Sequence, residues 1–449
     1  MTTIETPVRS AKSGRVRLGR PFGVQLASTG LANLGDGLLA TLAPLLALSL
    51  TSSPVLISAL TAATWLPWLL FGLTVGVIID RVDRRRAQVG ALLMRAVLLA
   101  AAAWLAQLGL LSMPLLIALL MLYGVTEVIA DLGATAIVPD LVPPERLPAA
   151  NGRLLGVQQV ANAFLGSPLA GALIVVGAGI GLGVSAALAA LAGLLLLTGL
   201  RGDYRKAPDG SARGTGGVSE GLSFLIHHPV LRPLVLTGSV LNLASTGYFA
   251  VFVLWVVGPR SAVGMTPAQY PLVMLGLAVG AVAGSFAAAP IQARLGEVRT
   301  MLFALTASVL LMLLPVLWPT GWALALAGTL IGVTNTVGNV LSMSLRQRLV
   351  PGRLLGRIGG ASRTLSYGLM PLGALLGGGL AEVAGLPVTF YSAVALSLLA
   401  CGYLAVALRG VALPDLAEAV DAHEPALTHS GAPASGAVSN CESASAPDA

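Results

Sequence analysis

Long apolar runs recur along the whole chain and are separated by short polar connections. A helix needs about eighteen or more consecutive apolar residues to cross a bilayer, and each of these runs reaches that length. The pattern therefore predicts an all-α membrane protein. We place its twelve membrane-spanning helices at residues 22–48, 54–79, 88–111, 114–138, 153–177, 180–200, 231–257, 267–290, 299–318, 321–345, 358–383 and 386–408.

The composition agrees with this pattern. Of the 449 residues, 56% are hydrophobic and only 10% are charged, whereas soluble proteins carry about 25% charged residues. A net charge of +7 would suggest a nucleic-acid partner for a soluble protein, but here the positions of the charges explain it better. We expect membrane lipids around the protein and no nucleic acid as a partner.

The basic residues lie almost entirely on one side of the predicted spans. If the N-terminus is cytoplasmic, they fall in the N-terminal arm, in the connection 79–95, in the loop 201–232 and in other connections of the same side, and Arg260 alone falls outside. Cytoplasmic connections carry such an excess of Lys and Arg. The sequence therefore predicts a multi-pass protein of the cell (cytoplasmic) membrane with both termini in the cytoplasm.

The two halves of the chain share matching segments at one offset of 208 residues. Gly124–Glu127 (GVTE) matches Gly332–Asn335 (GVTN), and Leu141–Pro143 matches Leu349–Pro351. Chance matching in apolar sequence is the alternative, but one shared offset favours a duplicated six-helix unit, as in secondary transporters. The predicted organisation is a cytoplasmic N-terminal arm (1–21), an N-terminal six-helix bundle (22–200), a cytoplasmic central loop (201–230), a C-terminal six-helix bundle (231–409) and a disordered tail (410–449).

The connection between spans 2 and 3 concentrates charge in the stretch GVIIDRVDRRRA. Anchoring on the cytoplasmic side explains its arginines but requires neither an Asp nor a Gly that lets another backbone approach. The stretch resembles the signature loop of the major facilitator superfamily, and the resemblance covers essentially the whole chain. It implies two six-helix bundles and a cytoplasmic gate, which would be asymmetric because the second half keeps only ARLGEVR (Ala293–Arg299), without an Asp. The predicted gate residues are Gly76, Asp80, Arg81, Arg84, Arg85 and, from span 4, Asp131.

Four acidic residues lie inside predicted spans: Asp36, Glu127, Asp131 and Glu382. The pattern places no Lys or Arg deep in any span. A carboxylate at the bilayer centre costs about 2.5–3.5 kcal/mol on insertion scales, so such residues usually face a cavity and have a function. Asp36 and Glu127 are the deepest and, without a cationic partner, should exchange protons. The alternatives are a structural hydrogen bond for Glu127 and a solvated helix end for Glu382.

In the superfamily fold, spans 1, 4, 7 and 10 line the central cavity, so the resemblance implies which polar residues meet the substrate. At the offset of 208 residues, asparagines replace Glu127 and Asp131, which confines the acids to the first half. Tyr248, Phe252 and Trp255 follow helical spacing and either line the cavity or pack against lipid or a neighbouring helix. The expected substrate-cavity residues are Asn33, Asn242, Tyr248, Asn335 and Asn339.

Span 5 carries GSPLAGA at Gly166–Ala172. This segment is similar to the Gly-Pro-x-x-Gly-Gly motif of antiporter branches, with Ser167 and Ala172 in place of glycines. Small residues allow close helix packing, and a proline inside a span kinks it. We therefore expect Gly166, Pro168 and Gly171 to form a helix-packing motif, as in exporters.

Further segments resemble the branch that includes the enterobactin exporter and the macrolide efflux proteins: Asn33–Leu38, Asp80–Ala87, Val138–Arg153 and Arg348–Gly360. Many drug antiporters carry an Arg in span 4 where this chain has Glu127, so their proton relay is not carried over. The sequence predicts a monomeric secondary transporter that exports a small amphipathic molecule (a drug, an antibiotic or a siderophore) against protons. An importer or a lipid-moving transporter on the same fold is the alternative.

Other function classes find no support in the residues. The only lysines, Lys12 and Lys206, stand outside any Gly-Lys-Ser/Thr motif, which disfavours ATP-driven transport. The four histidines lie in the central loop and the tail, away from any nucleophile inside a span. We expect no enzymatic activity, no metal and no cofactor, with the proton gradient as the energy source.

Overall fold

The computed structural model describes residues 18–79, 81–205, 223, 225–258, 261–349 and 366–409. Within them the chain forms helices and no strands, and twelve helices are long and apolar enough to cross a membrane. The predicted fold class is confirmed. In chain order, spans 1 to 12 are Arg20–Leu50, Pro54–Ile79, Arg84–Gln107, Met113–Ala136, Ala149–Val176, Ala178–Gly199, Leu231–Val256, Tyr270–Leu295, Glu297–Leu317, Gly321–Leu349, Ser366–Ala384 and Leu386–Ala407.

We call the side on which span 1 begins the inner side and the opposite side the outer side. The charge distribution predicts that the inner side faces the cytoplasm. Spans 1–6 form the first half and spans 7–12 the second half. Asp80, most of the N-terminal arm, most of the central loop and the tail lie outside the described residues.

Single glycines join two pairs of spans at corresponding places in the halves. Gly177 alone connects spans 5 and 6, and Gly385, which lies 208 residues later, alone connects spans 11 and 12. Both have a positive φ, of 138° and 88°, which glycine adopts without steric cost. The backbone thus repeats at the offset found in the sequence.

Packing repeats at the same offset. Gly124 of span 4 lies so close to span 2 that a Cβ atom there would be 2.9 Å from the carbonyl oxygen of Thr64. Gly332 of span 10 packs on span 8 in the same way, and a Cβ atom would overlap the carbonyl oxygen of Leu277. The matched GVTE and GVTN segments therefore share a physical role, which is to let two helix backbones approach each other.

The two halves contact each other in the outer part of the structure. A Cβ atom at Gly378 of span 11 would overlap the Ser58 side chain of span 2, and one at Gly171 of span 5 would be 3.0 Å from Pro271 of span 8. Close packing of small residues thus joins spans 2 and 11 and spans 5 and 8. Gly171 fulfils the packing role predicted from the span 5 motif.

Glu382 takes part in this outer contact. Its Oε2 atom accepts a hydrogen bond from the Ser53 hydroxyl of the first half at 3.1 Å, although the side chain is exposed. The predicted solvated helix end therefore also links the halves. At the inner end of span 2, by contrast, no described atom lies within 4 Å of a Cβ atom built on Gly76, so the close approach expected there is not made by the described residues in this conformation.

Span 5 is distorted where the antiporter-like motif begins. A π-helical segment, Val160–Gly166, precedes Pro168, and an α-helix resumes at Ser167. Proline lacks a backbone N–H and its ring clashes with the carbonyl four residues earlier, so a widened turn accommodates it. Gly166 then packs directly on Gly37 of span 1, where a Cβ atom would be 2.7 Å from the Gly37 backbone. The helix is thus irregular just before the proline at which the sequence predicted a kink.

Replacing Gly37 with Ala should destabilise the protein, because the added Cβ atom would overlap the backbone oxygen of Asn162 in the π segment. Overpacking of this kind costs about 1–3 kcal/mol. The matched control is Gly72→Ala in span 2, where the added Cβ meets no described atom within 4 Å and should be neutral or stabilising by up to about 1 kcal/mol. Thermal unfolding in detergent measures both, and equal stability of the two variants would contradict the packing argument.

Candidate functional site

Polar side chains of the first half line a recess that runs from the middle of the membrane towards the inner side. It encloses about 490 Å³, including its open side. Spans 1, 3, 4 and 5 all contribute to it, and it contains the predicted residues Asn33, Asp36, Glu127 and Asp131. The full lining is Ser28, Thr29, Ala32, Asn33, Asp36, Gln88, Leu92, Arg95, Glu127, Ala130, Asp131, Ala134, Gln158 and Asn162.

Arg95 contradicts the prediction that no basic residue lies deep in a span. Asp83 caps the N-terminus of span 3, its carboxylate accepting from the N–H groups of Arg85 and Arg86, so the helix begins at Arg84. Arg95 is then eleven residues into the helix, about 16 Å along it, and only 2% exposed. The sequence prediction was wrong because it assigned Arg95 to the basic connection. The capping Asp83 was the signal that places it inside the membrane.

The Asp36 carboxylate therefore has a cationic partner, contrary to expectation. Arg95 Nη1 lies 2.5 Å from Asp36 Oδ1 in an ion pair. The hydroxyl of Tyr123, in span 4, donates to the same oxygen at 2.5 Å. Charge-assisted hydrogen bonds of this kind are the strong ones. Asp36 is consequently one part of a three-residue cluster from spans 1, 3 and 4.

The Arg95 guanidinium is fixed by two further contacts. Its central carbon lies 4.8 Å from the centre of the Tyr123 ring, within the range of a cation–π interaction. Its Nε atom donates to the Thr126 hydroxyl at 3.5 Å, and that hydroxyl donates to the Tyr123 carbonyl at 2.6 Å. Sequence reasoning missed both Tyr123 and Thr126, since neither residue is charged.

Glu127 lies beside this cluster without joining it. It is four residues after Tyr123 on the same face of span 4, it lines the recess, and it is half-buried. No other residue in the described part of the chain makes a hydrogen bond or an ion pair with its carboxylate. Because Asp36 and Arg95 neutralise each other, Glu127 is the uncompensated carboxyl next to a buried ion pair.

The predicted gate residues are held by several different partners. Arg84 pairs with Asp140, in the short helix after span 4, at 2.7 Å. Arg85 donates to the carbonyl oxygens of Leu196 and Leu197 at 3.3 and 2.6 Å. Both carbonyls belong to the last turn of span 6, and that of Leu196 also accepts the backbone N–H of Leu200 at 3.2 Å.

Of the remaining described gate residues, Arg81 lies in the signature loop and Asp131 lines the recess. The Arg81 carbonyl accepts from Arg205 Nε at 3.0 Å. Asp131, predicted as the acidic partner of the loop arginines, accepts from Gln158 Nε2 at 3.1 Å and lines the recess. Among the described residues Arg84 thus pairs with Asp140, while Asp80 lies outside them.

An ion pair also joins spans 9 and 10 on the inner side of the second half. Glu297, the first residue of span 9, pairs with Arg348 near the end of span 10. Arg348 lies 208 residues after Asp140, and Arg84 is the first residue of span 3. Glu297, however, lies 208 residues after Val89 and not after Arg84, so the second half has an ion pair of opposite polarity at a similar place without repeating both residues.

Two of the asparagines that the sequence predicted for the substrate cavity are exposed in the second half, and a third is half-buried. Asn335 and Asn339 are exposed on span 10, and Asn339 Nδ2 donates to Asn335 Oδ1 at 2.7 Å. Polar groups in the middle of a span face water-filled space or other protein rather than lipid. Asn242 is half-buried in span 7 and donates to the Ser366 carbonyl at 3.2 Å.

Tyr248 does not line a cavity, so its assignment to the substrate site was wrong. It is 1% exposed, its hydroxyl donates to the Met312 carbonyl at 2.9 Å, and its ring centre lies 4.5 Å from that of Phe390. Phe252 is buried beside it, and Trp255 donates to the Pro315 carbonyl at 3.0 Å. The aromatic stripe is therefore the core of the second half, where aromatic rings bury a large apolar area.

Arg95→Gln should strongly destabilise the protein, because it leaves the Asp36 carboxylate buried without its cation. Removing one partner of a buried ion pair costs about 3–5 kcal/mol. The double variant Asp36→Asn with Arg95→Gln should recover most of the stability, since neither charge remains. Arg86→Gln is the control, because its side chain is 83% exposed on the same helix. Thermal midpoints in detergent test this, and a double variant as unstable as Arg95→Gln would refute the pairing.

Comparison with known proteins supports a transporter. Residues 21–440 match the family model described as transmembrane secretion effector. A multidrug efflux pump Tap from Mycolicibacterium fortuitum is 28% identical over 396 residues, which covers 86% of this chain and 95% of that protein. The Tap pump of Mycobacterium tuberculosis (strain ATCC 25618 / H37Rv) is 27% identical and covers 89% of this chain and 96% of its own length.

Solved structures share the fold. A crystal structure of a mutant of the nucleoside transporter NupG superposes with a TM-score of 0.71 at 12% identity, covering 87% of this chain and 100% of that chain. A bacterial homolog of the human lysosomal transporter Spinster, in an inward-facing and unoccupied conformation, gives 0.65 at 14% identity and covers 88% and 98%. These matches and the twelve-span fold agree with the sequence resemblance. The chain is a multi-pass membrane transporter of the transmembrane secretion effector family, within the major facilitator superfamily.

Proposed function

We propose that the protein is a proton-coupled exporter of small amphipathic molecules such as drugs. The observation that carries the coupling is Glu127, an uncompensated carboxyl in a polar recess beside the neutral Asp36–Arg95 pair. An isolated carboxylate is expensive in a low-dielectric site, whereas its protonated form is not. Two relatives named multidrug efflux pump support export as the direction and drugs as the substrate class.

The two walls of the transport pathway would differ in character. The first half supplies the carboxyls, and Asn242, Asn335 and Asn339 of the second half supply neutral hydrogen-bonding groups. Asn33 completes the first-half wall beside Asp36. A substrate would then be held between an acidic wall and a neutral wall, and a proton arriving at Glu127 would remove the negative charge that faces the substrate.

Alternating access would use the contacts at both ends. The outer contact of Gly378 with Ser58 and of Glu382 with Ser53 is formed in this conformation. The signature loop would form the inner gate in the opposite conformation, with Gly76 as the site of close approach. The loop arginines, already held by Asp140 and span 6, would then move with the first half as one body.

Glu127→Gln should abolish proton-driven accumulation while sparing downhill exchange, because Gln keeps the shape of the side chain but cannot release a proton. The assay follows uptake of a fluorescent drug into everted vesicles, in which uptake reports export, with and without a collapsed proton gradient. Glu145→Gln is the control, since that carboxyl is exposed in the connection between spans 4 and 5 and lies outside the recess. Active accumulation by Glu127→Gln would refute the coupling site, and accumulation only in right-side-out vesicles would indicate an importer.

Gly76→Val should leave insertion and thermal stability unchanged but reduce turnover at least tenfold. In this conformation no described atom lies within 4 Å of the new Cβ position, whereas the gate hypothesis requires close approach there in the other conformation. Gly402→Val, on an exposed face of span 12 with equally open surroundings, is the control. Wild-type turnover by Gly76→Val would remove the argument for a gate at this glycine.

A further inference from the structure

Tyr123 makes two different contacts with the same ion pair. Its hydroxyl donates to Asp36 Oδ1, and the face of its ring lies against the Arg95 guanidinium. Arg95 donates to that same Asp36 oxygen. Tyr123 is 4% exposed, so solvent does not compete for these interactions. The Asp36 oxygen thus accepts from two buried donors, a phenol and a guanidinium, and the charge-assisted bond is of the strong kind.

Tyr123 also contributes to the position of the Arg95 guanidinium, which lies over its ring. Glu127 is one helical turn away from Tyr123 on the same face, so it is the other carboxylate towards which Arg95 can turn. The Tyr123 ring and the Thr126 hydroxyl contact the guanidinium, and the Tyr123 hydroxyl fixes the Asp36 oxygen to which the guanidinium donates. Loss of the Tyr123 hydroxyl removes one of the two donors on Asp36 and loosens this arrangement.

We propose that Tyr123 is a positioning residue that commits Arg95 to Asp36 and thereby leaves Glu127 as the single carboxyl of the cluster that exchanges a proton. Asp36 is then a fixed counter-charge and no proton carrier, in contrast to the expectation from the sequence. This inference rests on the proposed proton coupling. Its consequence is that the cluster carries one proton in each transport cycle.

The charged and titratable groups around Glu127 come from three spans. Span 1 contributes Asp36, span 3 contributes Arg95, and span 4 contributes Tyr123 and Asp131. The part of span 5 that lines the recess contributes only the neutral amides of Gln158 and Asn162. Among the residues that line the recess, Arg95 is therefore the one cation whose orientation changes how strongly Glu127 holds a proton.

The test is the pH dependence of proton-driven drug uptake by Tyr123→Phe in everted vesicles. With Arg95 free to turn towards Glu127, Glu127 should lose its proton more readily, so the alkaline limb of the uptake profile should move to lower pH by about one unit, a tenfold change in proton concentration. The KM for downhill drug exchange should stay within twofold of wild type. A merely structural defect would lower the amount of active protein and leave the pH profile in place.

Tyr248→Phe is the matched control. It removes the hydroxyl of an equally buried tyrosine, whose hydrogen bond goes to the Met312 carbonyl in the second half, and it should leave the pH profile unchanged. If Tyr123→Phe does not accumulate in the membrane, Thr126→Val removes another contact of Arg95 and should move the profile in the same direction. A variant combining Tyr123→Phe with Glu127→Gln should show no pH-dependent accumulation.

The outcomes separate the two hypotheses. If drug uptake by the wild-type protein is the same with and without a proton gradient, the proposed function is overturned. A proton-driven wild type with an unshifted profile in both Tyr123→Phe and Thr126→Val would overturn the role of Tyr123 and leave the proposed function standing. Proton-driven uptake that survives Glu127→Gln but is lost in Asp36→Asn would make Asp36 the proton carrier and would also overturn this inference.

Discussion

The ion pair between Asp36 and Arg95 constrains the first half of the molecule. Two opposite charges in the middle of a membrane are tolerated only when each compensates the other and their remaining hydrogen-bonding groups are satisfied. Spans 1, 3 and 4 must therefore keep a register that brings a carboxylate, a guanidinium and a phenol to one point. The polar recess, the exposure of Glu127 within it and the proposed coupling all depend on that register.

Glycine provides the second constraint, which is steric. Helices in a membrane gain little from hydrophobic contact with each other and associate through close packing. Gly37 and Gly166 allow span 5 to pack closely on span 1 next to Asp36. Gly124 likewise allows span 4 to pack on span 2, and Gly332 allows span 10 to pack on span 8. Charge and packing thus act together, because the π segment that rests on Gly37 also carries Asn162 into the recess.

The sequence predicted the features that depend on long stretches of chain. Apolar runs of sufficient length identified the twelve spans, and a constant offset indicated the repeat. Features that depend on a single turn of helix were harder to predict. Arg95 was assigned to a connection because it follows a cluster of arginines, although the capping Asp83 starts the helix earlier. Tyr248 was assigned to a cavity because helical spacing shows which residues share a face and not what that face meets.

The single-glycine connections have a mechanical consequence. Gly177 and Gly385 leave no slack between spans 5 and 6 or between spans 11 and 12, so neither helix of such a pair can slide along its axis without pulling its partner. The two helices of each pair should therefore move together. In the first half we expect span 5 to bend at the π segment Val160–Gly166, where the regular α-helix is interrupted. Movement at the proposed proton site would then be transmitted to span 6 through the backbone.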